Sequence, residues 1–193
     1  MRPYADPPGT HAPLGGAHAP LGGTAGVEAC KTVIGGLGID LDGATVFCPS
    51  NAAWLAFAEA LGYKGHDPVL KMAFNMPIGA LKAVVSYHIV PDAVLPASTF
   101  AALRGASLRT RAGAALTARR DPDGVVSLLA GGAAGAAEAG VTARDWTLGG
   151  GSYGPESRHV VHEVDAVLAP PGLQAELEAV RARNTAGSRR LRF

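Results

Sequence analysis

Gly150-Gly151-Ser152-Tyr153-Gly154 has the G-x-S-x-G spacing of a nucleophile elbow, the sharp turn that exposes a serine hydroxyl for acyl transfer. That chemistry needs an acid and then a histidine further along the chain. No histidine follows Asp165, and Pro155 stands where a helix should begin, so the segment reads as a flexible hairpin loop. The same loop spells G-x-G-x-x-G through Gly149, Gly151 and Gly154. A dinucleotide site would need a helix after it within a βαβ unit, and here a strand follows. His159-Val160-Val161-His162-Glu163 invites a metal ion. Residues three apart on a strand point to opposite faces, so the two rings diverge. Cys30 and Cys48 are the only cysteines, too few for a zinc knuckle. They permit one internal disulfide if their Cα atoms come within about 7 Å. No acid, base and nucleophile converge in this pattern, and no catalytic residue, metal or cofactor is expected.

Binding chemistry is the remaining possibility. Arg109, Arg111, Arg119 and Arg120 fall on neighbouring strand-like segments and could form a basic strip for an anionic polysaccharide. The competing reading is a solvated face that discourages edge pairing. No aromatic residues alternate with these arginines, which argues against single-stranded nucleic acid. The net charge of +1 creates no global field toward nucleic acid or membrane. No apolar run is long enough to span a bilayer.

The elements that must position these residues follow from periodicity. Residues 1–26 are rich in Gly, Pro, Ala and His, and His11-Ala12-Pro13-Leu14-Gly15-Gly16 recurs from His18 to Gly23. Such a segment cannot pack a core and is expected to be a disordered leader, its His11 and His18 too mobile to form a metal site. Helices are expected over Val27–Leu37, Ala52–Leu61 and Pro77–Ser86. Trp54, Leu55, Phe57, Ala58 and Leu61 should face inward on the second, and Ile78, Leu81, Val84 and Val85 on the third. Ser50 or Asn51 can cap the second helix, and Pro68 can open a helical turn. Strands are expected at Ala44–Cys48, Tyr87–Val90, Ser107–Arg111, Ala114–Arg120, Val125–Leu129, Val141–Trp146 and His159–Leu168. Asp121-Pro122-Asp123-Gly124 signals a hairpin. Residues 130–140 read as a mobile Gly/Ala loop. Pro170-Pro171 ends the domain at 27–171, leaving a C-terminal helix from Leu173 to Arg183 and a loose basic tail within 172–193.

Three segments in this order resemble the fasciclin (FAS1) domain family. Thr45-Val46-Phe47-Cys48-Pro49-Ser50-Asn51-Ala52-Ala53-Trp54 resembles its first conserved block. Leu81 to Pro91, with the pair Tyr87-His88, resembles its helix-to-strand segment. His159 to Pro170 resembles its second block, the strand that closes the domain. The resemblance covers roughly residues 27–171. The sequence differs from the family pattern in a short first helix, in Arg158-His159 where Asn-Gly is common, and in Asp92 where Gly is usual.

The resemblance implies an α+β wedge: two small β-sheets in a sandwich, with helices packed at one end. It assigns motif positions to Thr45, Phe47, Pro49, Asn51, Trp54, His162 and Asp165. It also implies a non-catalytic adhesion or matrix-organisation module outside the cell or at its surface. Its partner would be a matrix or cell-surface protein or polysaccharide, with sister FAS1 domains in a longer protein. Tyr87 and His88 would be an adhesion epitope on this view. On physical grounds they read better as a buried pair bonded to nearby backbone. A small-ligand or lipid-binding domain, using a cleft between helices and sheet, is the alternative function.

Overall fold

The computed structural model describes residues 28–103, 105–131, 137–147 and 158–190. The expected leader at 1–26 and the loop carrying Ser152 lie outside the described residues.

Among the described residues, four helices precede most of the sheet: α1 (Glu28–Leu37), α2 (Asn51–Ala60), α3 (Pro68–Asn75) and α4 (Ile78–Tyr87). Ser50 caps α2, its Oγ accepting from the Ala53 N–H at 3.1 Å. Asp67 caps α3 through the Leu70 N–H at 2.9 Å, and Pro68 fills the first turn, where its missing N–H is harmless. Trp54, Ala58 and Leu61 recur at helical spacing and are buried. Leu55 lies off that stripe and is exposed, against expectation. Ile78, also expected inside, stands at the first turn of α4 and is 61% exposed. The inward face of α4 is Ala80, Leu81, Val84 and Val85.

Among the described residues, seven strands form one sheet in the order β2-β1-β7-β6-β5-β4-β3. They are β1 (Thr45–Pro49), β2 (Ile89–Val90), β3 (Ala106–Arg109), β4 (Ala115–Arg120), β5 (Val126–Ala130), β6 (Glu138–Trp146) and β7 (Val160–Val164). A 3₁₀ turn, Ala97–Ala102, links β2 to β3, and α5 (Gln174–Arg190) ends the chain. β1 and β7 pair in parallel, with Thr45 opposite Val160 and Pro49 opposite Val164. The other ladders are antiparallel.

The two expected sheets are continuous through β6. Residues Glu138–Gly140 pair with β5, whereas Val141–Trp146 pair with β7 across two register shifts. Such bulges bend and twist a strand, which lets one sheet turn back on itself. All seven strands then contribute to a shared core that includes Phe47, Val90, Leu116, Leu128, Val141 and Val164. The opposite face of β1 and β7, through Val46, Cys48 and Val161, packs on the helices. Every residue of β1 is therefore buried, as befits a parallel pair covered on both faces.

Three other boundaries differ from the sequence reading. Glu138–Gly140 belong to β6 rather than to a loop, because their backbone completes the β5 ladder. β7 stops at Val164, four residues short. α5 runs to Arg190, so Arg189 and Arg190 are helical in backbone.

Candidate functional site

Tyr87 and His88 were expected on opposite sides of a strand. Helix α4 continues through Tyr87, and His88 caps it, its N–H donating to the Val85 carbonyl. The two side chains enter different cores. The Tyr87 hydroxyl donates to the Ala115 carbonyl at 2.8 Å and accepts from the Gly131 N–H at 3.0 Å. Burial raises its pKa, and the Gly131 hydrogen bond works against that rise. His88 faces the helices: Nδ1 donates to the Val84 carbonyl at 2.9 Å, and Nε2 accepts from the Leu168 N–H at 3.0 Å. Burial pushes its pKa down to about 4, a shift that the Val84 bond only tempers. The ring is thus neutral at pH 7 and ties α4 to the segment after β7. Neither side chain is accessible.

A second network surrounds β1 and β7. The Thr45 hydroxyl donates to the Ala93 carbonyl at 2.6 Å and accepts from the Leu95 N–H at 2.9 Å. His162 Nε2 donates to the Leu95 carbonyl at 2.8 Å, and Nδ1 accepts from the Asp145 N–H at 3.3 Å. Its ring lies 5.7 Å from that of Phe47. Burial lowers the His162 pKa, although the Leu95 carbonyl and the Asp145 carboxylate pull it up. Asp145 in turn accepts from the Ala97 N–H at 2.7 Å. Residues 93–97 are thereby fastened to β1, β6 and β7. Asp145 was missed in the sequence; it has a positive φ of 58°, a conformation that Asp tolerates better than most residues.

The other motif residues also bond to backbone or pack. Asn51 Oδ1 accepts from the Ala29 N–H at 3.1 Å, holding the start of α1. Asp165 Oδ1 accepts from the Gly140 N–H at 2.7 Å. A Cβ at Gly140 would stand 2.9 Å from that carboxylate, so only glycine fits without a shift. Pro49 closes the β1–β7 ladder. Trp54 is buried edge-to-face on Phe57, its indole N–H without a hydrogen-bond partner among the described residues. Cys30 on α1 and Cys48 on β1 form a disulfide with Cα atoms 5.9 Å apart. Among the described residues, no three His, Cys, Asp or Glu side chains are placed to hold a metal ion.

The arginines do not line up as one strip. Arg109 lies opposite Ala115, and Arg119 is four residues further along β4, about 13 Å away at strand spacing. Both point to the exposed face. Arg119 lines a concavity that it shares with Asp121, Glu138 and Asp165. Arg120 folds against the hairpin glycine, Gly124. Arg111 leaves the strand and joins Lys82 of α4 at a separate groove.

The profile of the fasciclin domain family matches residues 36–170. No match was found among curated proteins. Among solved structures, a FAS1 domain pair from the insect cell adhesion molecule fasciclin I is similar, at 18% identity and a TM-score of 0.45. The similarity covers 73% of this chain and 41% of that one, so the chain spans well under half of that structure's length. On the family match, which extends over more than half of its length, the chain belongs to the fasciclin domain family.

Proposed function

We propose that this chain is a non-catalytic adhesion or matrix-organisation module acting outside the cell or at its surface. It binds a matrix or cell-surface protein or polysaccharide weakly, and it gains strength from several copies displayed together, as sister domains or as a multimer. Family membership supports this reading, because the fasciclin domain is known from cell adhesion proteins. The Cys30–Cys48 disulfide supports the compartment, since such bonds persist where the surroundings are oxidising.

One observation carries the non-catalytic part. Both ring nitrogens of His88 and of His162, and the hydroxyl of Tyr87, are engaged with backbone. These groups hold the fold and are not poised against a substrate. The lipid or small-ligand alternative has less support: the apolar cavity beside Cys30, Trp54 and His88 measures about 10 Å³, at the lower limit for one water molecule.

The test is attachment of beads coated with the purified chain to matrix material, with soluble monomer as competitor. Coated beads should aggregate or attach far better than the monomer binds. Inert beads, together with saturable ester hydrolysis that disappears in Ser152→Ala, would replace adhesion with an enzyme.

A further inference from the structure

We infer that the groove between α4 and the β3–β4 turn is the contact site for an acidic polysaccharide, whose carboxylate or sulfate groups sit between Lys82 and Arg111. This inference rests on the adhesive reading above and gives it a place and a ligand chemistry. The groove has a volume of about 370 Å³. Lys82 approaches from α4, one turn before Ser86, and Arg111 from the turn after β3. Pro170 and Pro171 form a rigid opposite wall. Among the described residues no carboxylate lines it, in contrast to the concavity where Arg119 meets Asp121, Glu138 and Asp165. Neither Lys82 nor Arg111 has an ion-pair partner among the described residues. Two cations held from separate elements in an acid-free groove attract an anion more strongly than either would alone.

The lining also favours a sugar chain over an acidic peptide. A peptide docking in extended form needs free main-chain groups to pair with. Here the Arg111 N–H already donates to the Ile89 carbonyl and the Ala112 N–H to the Ser86 carbonyl. What the groove leaves available is charge, the Ser86 hydroxyl and the flat apolar surfaces of proline and alanine. Those suit the anionic groups, hydroxyls and C–H faces of a pyranose ring.

The experiment titrates the full chain with polygalacturonate and dextran sulfate, using neutral dextran as control, at low and moderate salt. Binding to the acidic polymers should weaken as salt rises and fall about tenfold or more in Lys82→Gln/Arg111→Gln. Arg119→Gln should bind like the parent. Both variants lie at exposed positions, and their melting temperatures check the fold. Equal binding by the double variant, or no binding of either acidic polymer by the parent chain, overturns the groove. So does equally good competition by polyglutamate, which would make the partner a peptide, or by monomeric galacturonate or free sulfate, which would make it a small-anion site. Bead attachment is measured in parallel. Beads that attach equally well with or without the double substitution leave adhesion standing and remove the groove, whereas beads that never attach remove the adhesive reading itself.

Discussion

At pH 7 the buried ring of His88 is neutral, and acid weakens the fold because the unfolded chain can charge that ring while the folded one resists it. Its folded pKa of about 4 lies below the ordinary 6.5, so the unfolded chain takes up this proton first. The contribution is complete above pH 6.5, declines as pH falls from 6.5 toward 4, and is lost below that. The whole window corresponds to about 3 kcal/mol. His162 adds to the loss in the same direction. Urea midpoints measured from pH 7 to pH 4 should fall steadily, and the fall should be shallower in His88→Asn. At pH 7, His88→Ala strands the Val84 carbonyl and the Leu168 N–H in the core and should cost about 1–3 kcal/mol. Attachment per folded molecule should not change. An unaltered melting temperature with altered attachment would point instead to a direct contact through His88. Asp92 offers a backbone counterpart: its φ of 56° lies where the family pattern has glycine. Asp92→Val should therefore be less stable than Asp92→Gly by roughly 1 kcal/mol, readable by thermal melts.

Most elements were legible in the sequence where local chemistry is self-sufficient. Ser50 before an apolar stripe and Asp121-Pro122-Asp123-Gly124 between alternating runs each settle their own backbone, while Pro68 announced a helical turn but not the whole of α3. The hairpin shows how: Asp121 Oδ1 accepts from the Val125 N–H, and Gly124 takes a φ of 87°. Misreadings fell where distant contacts decide. Residues 138–140, Gly- and Ala-rich, become strand because β5 and Asp165 supply partners that no local pattern announces. Tyr87 stays helical although its type favours strands, because its hydroxyl reaches Ala115 and Gly131 from that position. The network of Thr45, His162 and Asp145 was legible in only two of its members, since an Asp in a strand carries no signal for a left-handed turn. At this scale the disulfide between α1 and β1 is the sharpest prediction. Closing a loop of 18 residues constrains the unfolded chain by about 3 kcal/mol. Reduction should lower the urea midpoint accordingly without changing the far-ultraviolet spectrum of the folded state. Full alkylation of native, unreduced protein would show that the bond is absent.

For the molecule as a whole, the family match ends at residue 170, yet the packing continues beyond it. Val180 of α5 is buried among the other helices, and the Asn184 side-chain amide donates to the Leu61 carbonyl at 2.8 Å. A chain ended after Pro171 should melt at a clearly lower temperature, since uncovering Val180's site alone forfeits about 1.5–3 kcal/mol of apolar burial. An unchanged melting temperature would show that α5 is dispensable. The parallel pairing of β1 with β7 reaches further still. Strand β1, next to the edge strand β2, is made early, and its parallel partner β7 is made on the order of a hundred residues later. On the ribosome, α1–α4 and β2 emerge soon after β1 and can cover one of its faces, but its Phe47 face and its edge toward β7 wait while nearly all of the domain emerges. The protein therefore has no stable halfway product: nascent chains stalled before Val160 should be cut readily by protease, and protection should arrive in one step once Val164 clears the exit tunnel.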